Sequence, residues 1–313
     1  MDARVNDSKI VPPPFRNESE RGARVTLPVV SILTPSLNQA RWLRDNLRSV
    51  AAQTYPRIEH VVMDGGSTDG SVEILANAAP AVIWETGADD GQSDAINSAF
   101  NRASGEIVGW LNSDDAYFSR DAVASAMDVF EKHPEVGVVY GHGALVNGAG
   151  TLLHVLWTPP FSRRLLRSWY NPICQPTAFV RRSAVTRGFF VDREFGYMMD
   201  RELWLYLSRR TGFHRLDRIL AIDRHHLERK SYTLLDVAAH DYDLISRRYG
   251  VPGPEASRFL LKVVKLWVRF AGLSKVMEAA RRGDALHVAP TSAFAIAMRQ
   301  IGQPRSKMPI GGA

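Results

Sequence analysis

The chain has 313 residues, of which 45% are hydrophobic, and carries a formal net charge of +6 with an isoelectric point near 9.5. Its single cysteine, Cys174, excludes an internal disulfide and fits a reducing compartment. The absence of any apolar run of about 18 residues argues against a transmembrane helix. The basic balance favours anionic partners such as a nucleotide or a phospholipid surface, and we expect no nucleic-acid partner because no RNA-binding aromatic signature is present.

The first 24 residues are polar, include three consecutive prolines and lack an apolar centre. They are therefore expected to be a mobile tail rather than a signal peptide, which predicts a cytoplasmic protein.

Residues 28–140 alternate between strand and helix patterns with short connections. Strands are predicted at 29–34, 58–63, 81–84 and 106–111, and helices at 39–52, 68–77, 92–103 and 120–132. The first strand is expected to stop at Pro35-Ser36. This alternation predicts a parallel sheet with right-handed crossovers, of a nucleotide-binding type but without a Gly-x-Gly-x-x-Gly fingerprint.

The pattern changes after Gly137. A hairpin is predicted around Asn147-Gly148, between strands at 138–140 and 151–157. Further strands are predicted at 173–180 and 213–222, and helices at 199–208, 234–249 and 255–282. We divide the chain into a tail (1–24), a central domain (25–232, with halves 25–136 and 137–232) and a helical extension (233–313).

Two adjacent carboxylates, Asp114 and Asp115, follow the apolar stretch 107–111. A buried strand delivers such groups to the carboxyl edge of a parallel sheet, where open α/β sheets bind ligands. Because neighbouring carboxylates repel each other, they indicate a counter-charge, and magnesium is commonly held by one or two carboxylates together with substrate phosphates. A strand end followed by a helix cap is the alternative.

Five ordered segments resemble those of the family 2 glycosyltransferases, over about residues 27–232: Val30–Asn38, Gln53–Pro56, Val61–Gly70, Asp90–Asn97 and Gly105–Asp115. The resemblance implies a GT-A fold of the α/β class. It would have a Rossmann-like, mostly parallel central sheet with flanking helices, followed by a C-terminal helical region. It also implies transfer of a sugar from a nucleoside diphosphate donor.

The resemblance assigns six residues to the nucleotide or donor sugar: Thr34, Pro35, Asn38, Asp64, Asp90 and Asp94. The first three would form one wall of the nucleotide pocket, or alternatively a simple strand-ending turn. Asp64 would accept hydrogen bonds from the base or ribose. Asp94 can instead favour the positive N-terminus of a helix. Nearby Asp69 is predicted to be a helix cap rather than a ligand.

The family's acidic metal motif matches the end of the fourth strand, with one departure. Asn112 stands where the family usually has the first Asp of an Asp-x-Asp pattern. The resemblance then assigns Asp115 to a Mn2+ or Mg2+ ion and Asp114 to the metal or the ribose. Asn112 can still hydrogen-bond the sugar nucleotide, but it supplies no charge.

On the acceptor side, the resemblance makes Asp200 the general base, which would take a proton from the attacking hydroxyl. Asp200 can instead be a helix N-cap, in which case Glu202 becomes the base. The two point about 200° apart on a helix and cannot easily serve one site. Gln175 is predicted to contact the acceptor or sugar, and Trp204 to lie in the core.

An Arg-x-His pattern of a family subset matches Arg224 and His226. By resemblance, Arg224 would offset charge on the leaving group, and His226 would complete the metal shell or touch the diphosphate. His225 is the alternative, because side chains alternate along a strand and only one of the two histidines faces inward.

Residues 258–271 combine a wide apolar face with one basic stripe: Arg258, Lys262, Lys265 and Arg269. This pattern is typical of a helix at a membrane interface, and the alternative is a helix packed on the catalytic domain with its basic stripe facing solvent. A membrane contact would favour a lipid-linked acceptor.

The sequence therefore predicts a metal-dependent, inverting glycosyltransferase acting on a hydroxyl of a glycan or lipid-linked glycan. Two alternatives stay open. A sugar-nucleotide nucleotidyltransferase would carry a glycine-rich basic loop near the first strand, where this chain has Pro35–Asn38. A glycosyltransferase-like domain that only binds a partner is the second.

Overall fold

The computed structural model describes residues 27–252, except 79, 169–170 and 227–234, together with Leu266. Nine strands lie in these ranges: β1 Val30–Ser36, β2 Ile58–Asp64, β3 Ile83–Thr86, β4 Ile107–Trp110, β5 Ala116–Tyr117, β6 Val136–Asn147, β7 Leu152–Leu156, β8 Phe179–Arg181 and β9 Gly212–His225. The helices there are α1 Ala40–Ala51, α2 Ser71–Ala78, α3 Gln92–Arg102, α4 Ala122–Lys132, α5 Arg163–Leu166, α6 Met199–Leu207 and α7 Leu235–Tyr249.

The strands form one curled sheet in the order β3-β2-β1-β4-β8-β6-β9-β5, with β7 paired to β6. The first four strands are parallel, as predicted from the alternation of strands and helices. Beyond β4 the sheet is mixed: β8 runs antiparallel to both β4 and β6, and β9 runs parallel to β6. The carboxyl ends of β1, β2 and β4 therefore share one edge, which carries the candidate site.

β1 ends at Ser36, so it includes the Pro35-Ser36 step at which the predicted strand 29–34 stops. β4 pairs with β1 only as far as Leu33 and Trp110, while β2 accompanies β1 to Ser36. At Pro35 the side of β1 facing β4 is therefore open, and the missing N–H removes no ladder hydrogen bond.

The second half departs further from the sequence prediction. β5 and α5 were not predicted, and β6 is 12 residues long. The predicted strand 173–180 is instead a 3-10 turn over Gln175–Thr177 followed by β8. Pro176 in this turn lacks the N–H that a strand would need there. The tail 1–24 and the helix 255–282 lie outside the described residues, apart from Leu266.

α7 packs into the core of the catalytic domain. Ile245 and Tyr249 belong to the same buried cluster as Trp204, which is 2% exposed and, as predicted, a core residue. Asp241 of α7 accepts the main-chain N–H groups of Tyr197 and Met198 at 2.7 and 2.8 Å. The helix predicted to begin a separate extension is thus part of the domain's own core. None of the helices described has the length and apolar character needed to cross a membrane.

Candidate active site

The loops after β1 and β2 are tied together at the carboxyl edge of the sheet. Asn38 has a positive φ of 52°, a conformation that asparagine tolerates well. Its Oδ1 accepts the N–H of Thr68 at 2.9 Å, and its own N–H donates to Ser67 Oγ at 2.7 Å. The two loops therefore form one preorganised wall.

Asp64 is buried at the end of β2 and is saturated by bonds within the protein. Its Oδ2 accepts the N–H groups of Gly66 (3.2 Å) and Ser67 (2.9 Å) and the Thr86 hydroxyl (2.7 Å). Its Oδ1 accepts the Ser67 hydroxyl at 2.5 Å. These bonds hold the loop that follows β2 and contains Gly65 and Gly66. The contact of Asp64 with the nucleotide remains a prediction.

Thr34 and Pro35 are both buried in β1. The Thr34 hydroxyl donates to the carbonyl of Leu111 at 2.8 Å and lies 2.9 Å from His60 Nε2. Burial lowers the pKa of His60 to about 3, so this ring is neutral. The Thr34 side chain is fully buried beneath the pocket wall. The predicted contact of this loop with the nucleotide, through its main chain, remains a prediction.

The three remaining aspartates discussed for this region, Asp69, Asp90 and Asp94, lie in different surroundings. Asp69 caps α2, as predicted: its Oδ1 accepts the N–H and hydroxyl of Ser71, and its Oδ2 accepts the N–H of Ala40. Desolvation works against ionisation, but these hydrogen bonds outweigh it and lower the pKa of Asp69. Asp94 forms an ion pair with Arg193, and Asp90 is exposed on the loop before α3.

Asn112 is the hub of a polar network after β4. Its Oδ1 accepts N–H groups from Trp110 Nε1 at 2.8 Å and Gln92 Nε2 at 2.9 Å. Its amide nitrogen faces Asp115 Oδ2 and Gln175 Oε1, each at 3.3 Å. A carboxylate at this position would place a negative charge against both of these oxygens, which gives a physical reason for the departure from Asp-x-Asp.

The structure separates the two adjacent carboxylates. Asp115 is 4% exposed, and its Oδ1 accepts the main-chain N–H of Arg224 at 2.9 Å. The side chain of Asp114 is 17% exposed, and its Oδ2 lies 2.9 Å from Nε2 of His226. The structure therefore favours Asp114 over Asp115 as a metal ligand, because Asp115 is committed to the main chain of β9. Of the two histidines, His226 faces Asp114.

Arg224 is 2% exposed and lies beneath the turn that carries Asp114. Its Nε donates to the Asp114 carbonyl at 2.8 Å, and its Nη2 is 3.8 Å from Asp45 Oδ2. Burial lowers the pKa of Arg224, and three nearby carboxylates led by Asp45 oppose that shift. The predicted direct contact with the leaving group needs correction, since so buried a guanidinium acts by holding the turn.

Asp200 lies in the first turn of α6, whose N-cap is Met198, so the N-cap alternative for Asp200 is wrong. Asn171 donates to Asp200 Oδ2 at 2.8 Å. Burial raises the pKa of Asp200, although hydrogen bonds from the Arg201 main chain and from Asn171 oppose it. A carboxylate with a raised pKa is a better proton acceptor near neutral pH.

Glu202 does not fit the alternative role of base. It is 1% exposed, and its Oε1 is 2.7 Å from Arg187 Nη1 and accepts the Tyr249 hydroxyl. This carboxylate joins α6 to α7 and to the 187–190 segment, so its acceptor assignment is corrected to a structural one.

Two connections link Asp200 to the Asn112 hub. The loop 171–175 carries Asn171, bonded to Asp200, and Gln175, whose Nε2 donates to the Trp110 carbonyl at 2.6 Å. At the start of α3, the residue after Gln92 is Ser93, whose hydroxyl contacts Met199 Sδ at 3.5 Å, next to Asp200. The donor and acceptor candidates thus share one continuous network.

Two residues that no motif indicated, Trp42 and Asn46, pack against the turn that carries Asp114 and Asp115. The Trp42 ring packs against the His226 ring, with centroids 4.1 Å apart and planes tilted by 37°. Asn46 donates from Nδ2 to the carbonyls of Asn112 (2.9 Å) and Asp115 (3.2 Å). Trp42 and Asn46 are four residues apart on α1, and this spacing on one face was the available signal.

Asp114 and His226 can supply two protein ligands to a divalent ion. Among the described residues no group of three or more His, Cys, Asp or Glu side chains could hold a metal, whereas Asp114 and His226 form a pair. Mg2+ and related ions are commonly held by one or two carboxylates plus substrate phosphates and water. The pair therefore fits an ion that arrives with the donor rather than a resident one.

A second cleft, of about 470 Å³, lies at the opposite edge of the sheet, among the end of α1, the start of β2 and residues 81–82. Its lining includes His60, whose Nε2 contacts the Thr34 hydroxyl, and none of the residues of the Asn112 network.

The family model described as "Glycosyl transferase family 2" matches residues 31–189, half of the chain. The chain belongs to glycosyltransferase family 2. An uncharacterized glycosyltransferase of Mycobacterium tuberculosis is 33% identical over 180 residues, which cover 57% of this chain and 68% of that protein. A PGL/p-HBAD biosynthesis glycosyltransferase of Mycobacterium bovis is 35% identical over 118 residues, 36% of this chain and 46% of that one. The family makes the protein a nucleotide-sugar glycosyltransferase, as predicted.

Solved structures show the same fold. A mannosyltransferase, PcManGT of Pyrobaculum calidifontis, in complex with GDP-Man and Mn2+, has a TM-score of 0.53 at 20% identity and covers 89% of this chain and 88% of its own. The 1–349 fragment of S. aureus TarS with UDP-GlcNAc has a TM-score of 0.52 at 19% identity, covering 63% of this chain and 59% of that one. The predicted GT-A fold is confirmed.

Proposed function

We propose that this family 2 glycosyltransferase transfers a sugar, with inversion and with help from Mn2+ or Mg2+, from a nucleoside diphosphate to a hydroxyl of a glycan or lipid-linked glycan. The observation that carries the proposal is the approach of Asp114 Oδ2 to His226 Nε2, 2.9 Å apart beside β4. The Mn2+ and GDP-Man of the P. calidifontis neighbour support a metal-assisted reaction.

On the donor side, Asp114 and His226 would hold the cation. When bound, such an ion offsets the negative charge that develops on a departing diphosphate. The packed ring of Trp42 fixes the His226 imidazole, and Arg224 fixes the Asp114 carbonyl from below. Both are positioning residues, which hold the ligands where charge will develop.

On the acceptor side, Asp200 removes the proton of the attacking hydroxyl. Its raised pKa favours this role, and Asn171 orients one of its oxygens at 2.8 Å. Gln175 and Asn112 contact each other at 3.3 Å, and they would contact the sugar. Inversion follows if the acceptor attacks directly with one general base and no covalent intermediate.

The experiment compares Asp200→Asn with Asp243→Asn, an exposed aspartate on α7. We expect Asp200→Asn to retain nucleotide binding by calorimetry and to lose transfer by about 10²–10⁴-fold. The control should keep both. An unchanged transfer rate in Asp200→Asn would exclude it as the base, and a product with the donor's anomeric configuration by NMR would exclude inversion.

A peripheral position on a membrane is a further part of the proposal. It is supported by the sequence of residues 258–271, with an apolar face and four regularly spaced cations. The M. bovis relative is a glycosyltransferase of PGL/p-HBAD biosynthesis. An acceptor on a lipid carrier would suit an enzyme held at such a surface.

A further inference from the structure

A cavity of about 240 Å³ lies where α5, the end of α6 and the end of α7 meet. It is lined by Arg163, Arg167, Leu205, Ser208, Arg209 and Tyr249. Its lining shares no residue with the candidate active site, and the reaction proposed above makes no use of it.

The floor and the mouth of this cavity differ in character. Leu205 and Ser208 are each 2% exposed and Tyr249 is 7% exposed, so they form a closed floor. The three arginines are exposed and stand around the mouth. The cavity is thus a shallow, neutral cup with a cationic rim.

These arginines have donor capacity to spare. Arg163 donates to the Ser208 carbonyl, Arg167 donates to the Gly250 carbonyl at 2.9 Å, and the Arg209 guanidinium lies 4.8 Å from the centroid of the Tyr249 ring. Binding to carbonyls at helix ends uses one nitrogen each of Arg163 and Arg167, whereas a guanidinium has five N–H donors.

Among the residues that the structure describes, no carboxylate pairs with the three arginines of the cavity. Within the part of the chain that the structure describes, the nearby carboxylates pair with other cations: Glu202 with Arg187, and Asp192 and Glu194 with Arg248. The three rim arginines form no ion pair with a described carboxylate. Three such cations around one cup create a positive potential that an anion would neutralise.

The geometry points to a phosphate. Guanidinium groups match the oxygens of a phosphate with parallel hydrogen bonds. A volume of about 240 Å³ lies below the roughly 300–1,000 Å³ of pockets that enclose a small molecule. The cup therefore suits a headgroup whose remaining body stays outside.

The sequence indicates which body that is. Arg258, the first cation of the basic stripe, follows the cavity residue Tyr249 by nine positions. Nine extended residues span at most about 32 Å, so the stripe and the cavity can address one surface. Anionic leaflets attract basic segments of this kind within a short distance of the membrane.

We propose that the Arg163–Arg167–Arg209 cavity binds the phosphate of an anionic phospholipid headgroup and docks the enzyme on a membrane. The inference rests on the membrane contact proposed above and is independent of the assignments of Asp114 and Asp200.

The test uses the full chain and sedimentation with phosphatidylcholine vesicles, with and without phosphatidylglycerol, at about 0.15 M salt. The triple variant R163Q/R167Q/R209Q is compared with R102Q/K132Q/R218Q, which removes the same number of exposed cations elsewhere. We expect the first triple to weaken partitioning to phosphatidylglycerol vesicles roughly a hundredfold, and the control to stay within a few-fold of the wild type. The single variant R209Q is the second test, for the case in which the triple variant folds poorly. R209Q removes no hydrogen bond to a described carbonyl, and it should weaken binding to phosphatidylglycerol vesicles several-fold.

Equal losses of vesicle binding in both triple variants would overturn the proposal in favour of unspecific charge attraction. No loss of vesicle binding in either triple variant would overturn it because the cavity would then have no part in docking. Calorimetry with glycerol phosphate distinguishes the source of the phosphate: tight binding of this soluble ester, lost in R209Q, with no vesicle preference, would replace the lipid by a free phosphate. Nucleoside diphosphate binding, measured on the same proteins, should not change. If wild-type nucleotide binding fails while vesicle docking succeeds, the proposed function fails and this inference stands.

Discussion

Asp114 and Asp115 are adjacent, yet replacing each by asparagine should have opposite consequences. Asp115 is 4% exposed; its Oδ1 accepts the Arg224 N–H, and its Oδ2 lies 3.3 Å from the Asn112 amide nitrogen. In Asp115→Asn, Oδ1 can still accept, but the new amide then meets the Asn112 amide, donor against donor. Hydrogen bonds to a charged group contribute about 1.5–3 kcal/mol, so we expect a loss of about 2 kcal/mol. For a domain of this size, that lowers Tm by roughly 4–8 °C.

Asp114→Asn should instead leave stability nearly unchanged and abolish metal-dependent binding. In Asp114→Asn the amide Oδ1 can still accept a hydrogen bond from His226 Nε2, so the contact is kept as a neutral hydrogen bond, and such a bond contributes only about 0.5–1.5 kcal/mol. Loss of even an outer-shell partner lowers metal affinity about 10–100-fold, so loss of a ligand should lower Mn2+-dependent nucleotide affinity by at least that factor.

Two measurements decide between these expectations: thermal unfolding, and calorimetric titration of a panel of nucleoside diphosphates with and without Mn2+. Asp128→Asn, an exposed position on α4, is the matched control and should change neither. The reverse pattern, in which Asp115→Asn keeps its Tm and loses Mn2+-dependent binding while Asp114→Asn does not, would refute the reasoning. Tight Mn2+ binding without nucleotide would refute the inference that the ion arrives with the donor.

Three further outcomes are expected. Asn112→Asp should destabilise the protein by about 1–3 kcal/mol, because its carboxylate would face that of Asp115. The double variant N112D/D115N should recover most of this loss in chemical denaturation, since an acceptor then faces a donor again. Additive losses in the double variant would contradict the network. Glu202→Ala should lower the free energy of unfolding by about 3–5 kcal/mol, because it leaves the Arg187 cation without its buried partner, and the folded fraction should keep its kcat. Loss of kcat at an unchanged Tm would restore Glu202 as a candidate for the base. For Asp200, burial raises the folded-state pKa, so the folded chain holds this proton more tightly than the unfolded chain, and stability falls as pH rises between the two pKa values. Asp200→Asn should therefore have a Tm at neutral pH equal to or above that of the wild type. The acid limb of the wild-type pH–rate profile should lie at a pH above the ordinary pKa range of an aspartate. A large loss of Tm in Asp200→Asn would contradict both expectations.

Much of the donor half of the fold could be predicted because its signals are local. Short apolar runs alternate with helical spacing from β1 to α4, and each element buries a face that its own sequence marks. Asp69 could be identified as a cap because Ser71, whose N–H and hydroxyl it accepts, is only two positions away. The family motifs and the carboxyl edge on which they lie follow from the same local pattern.

The acceptor half could not be predicted as well, because its elements depend on distant partners. β5 has only two residues, and its strand geometry comes from pairing with β9, more than 100 positions later. Within the predicted strand 173–180, the Thr177 hydroxyl bonds the carbonyls of Cys174 and Gly141 and helps hold a turn. Such contacts leave no periodic trace in the sequence.

The sequence by itself determined the family, the parallel half-sheet and the set of polar residues that gather at its edge. Only the tertiary structure decided which of them face a ligand. Asp114 and Asp115 are equivalent in sequence, but Asn46 and Arg224 hold the main chain between them so that one carboxylate turns toward His226 and the other toward β9. A buried charge must find a partner, and the partners of Asp115, Arg224 and Glu202 come from elements far away along the chain. The choice between a ligand and a structural residue therefore lies in packing rather than in the motif.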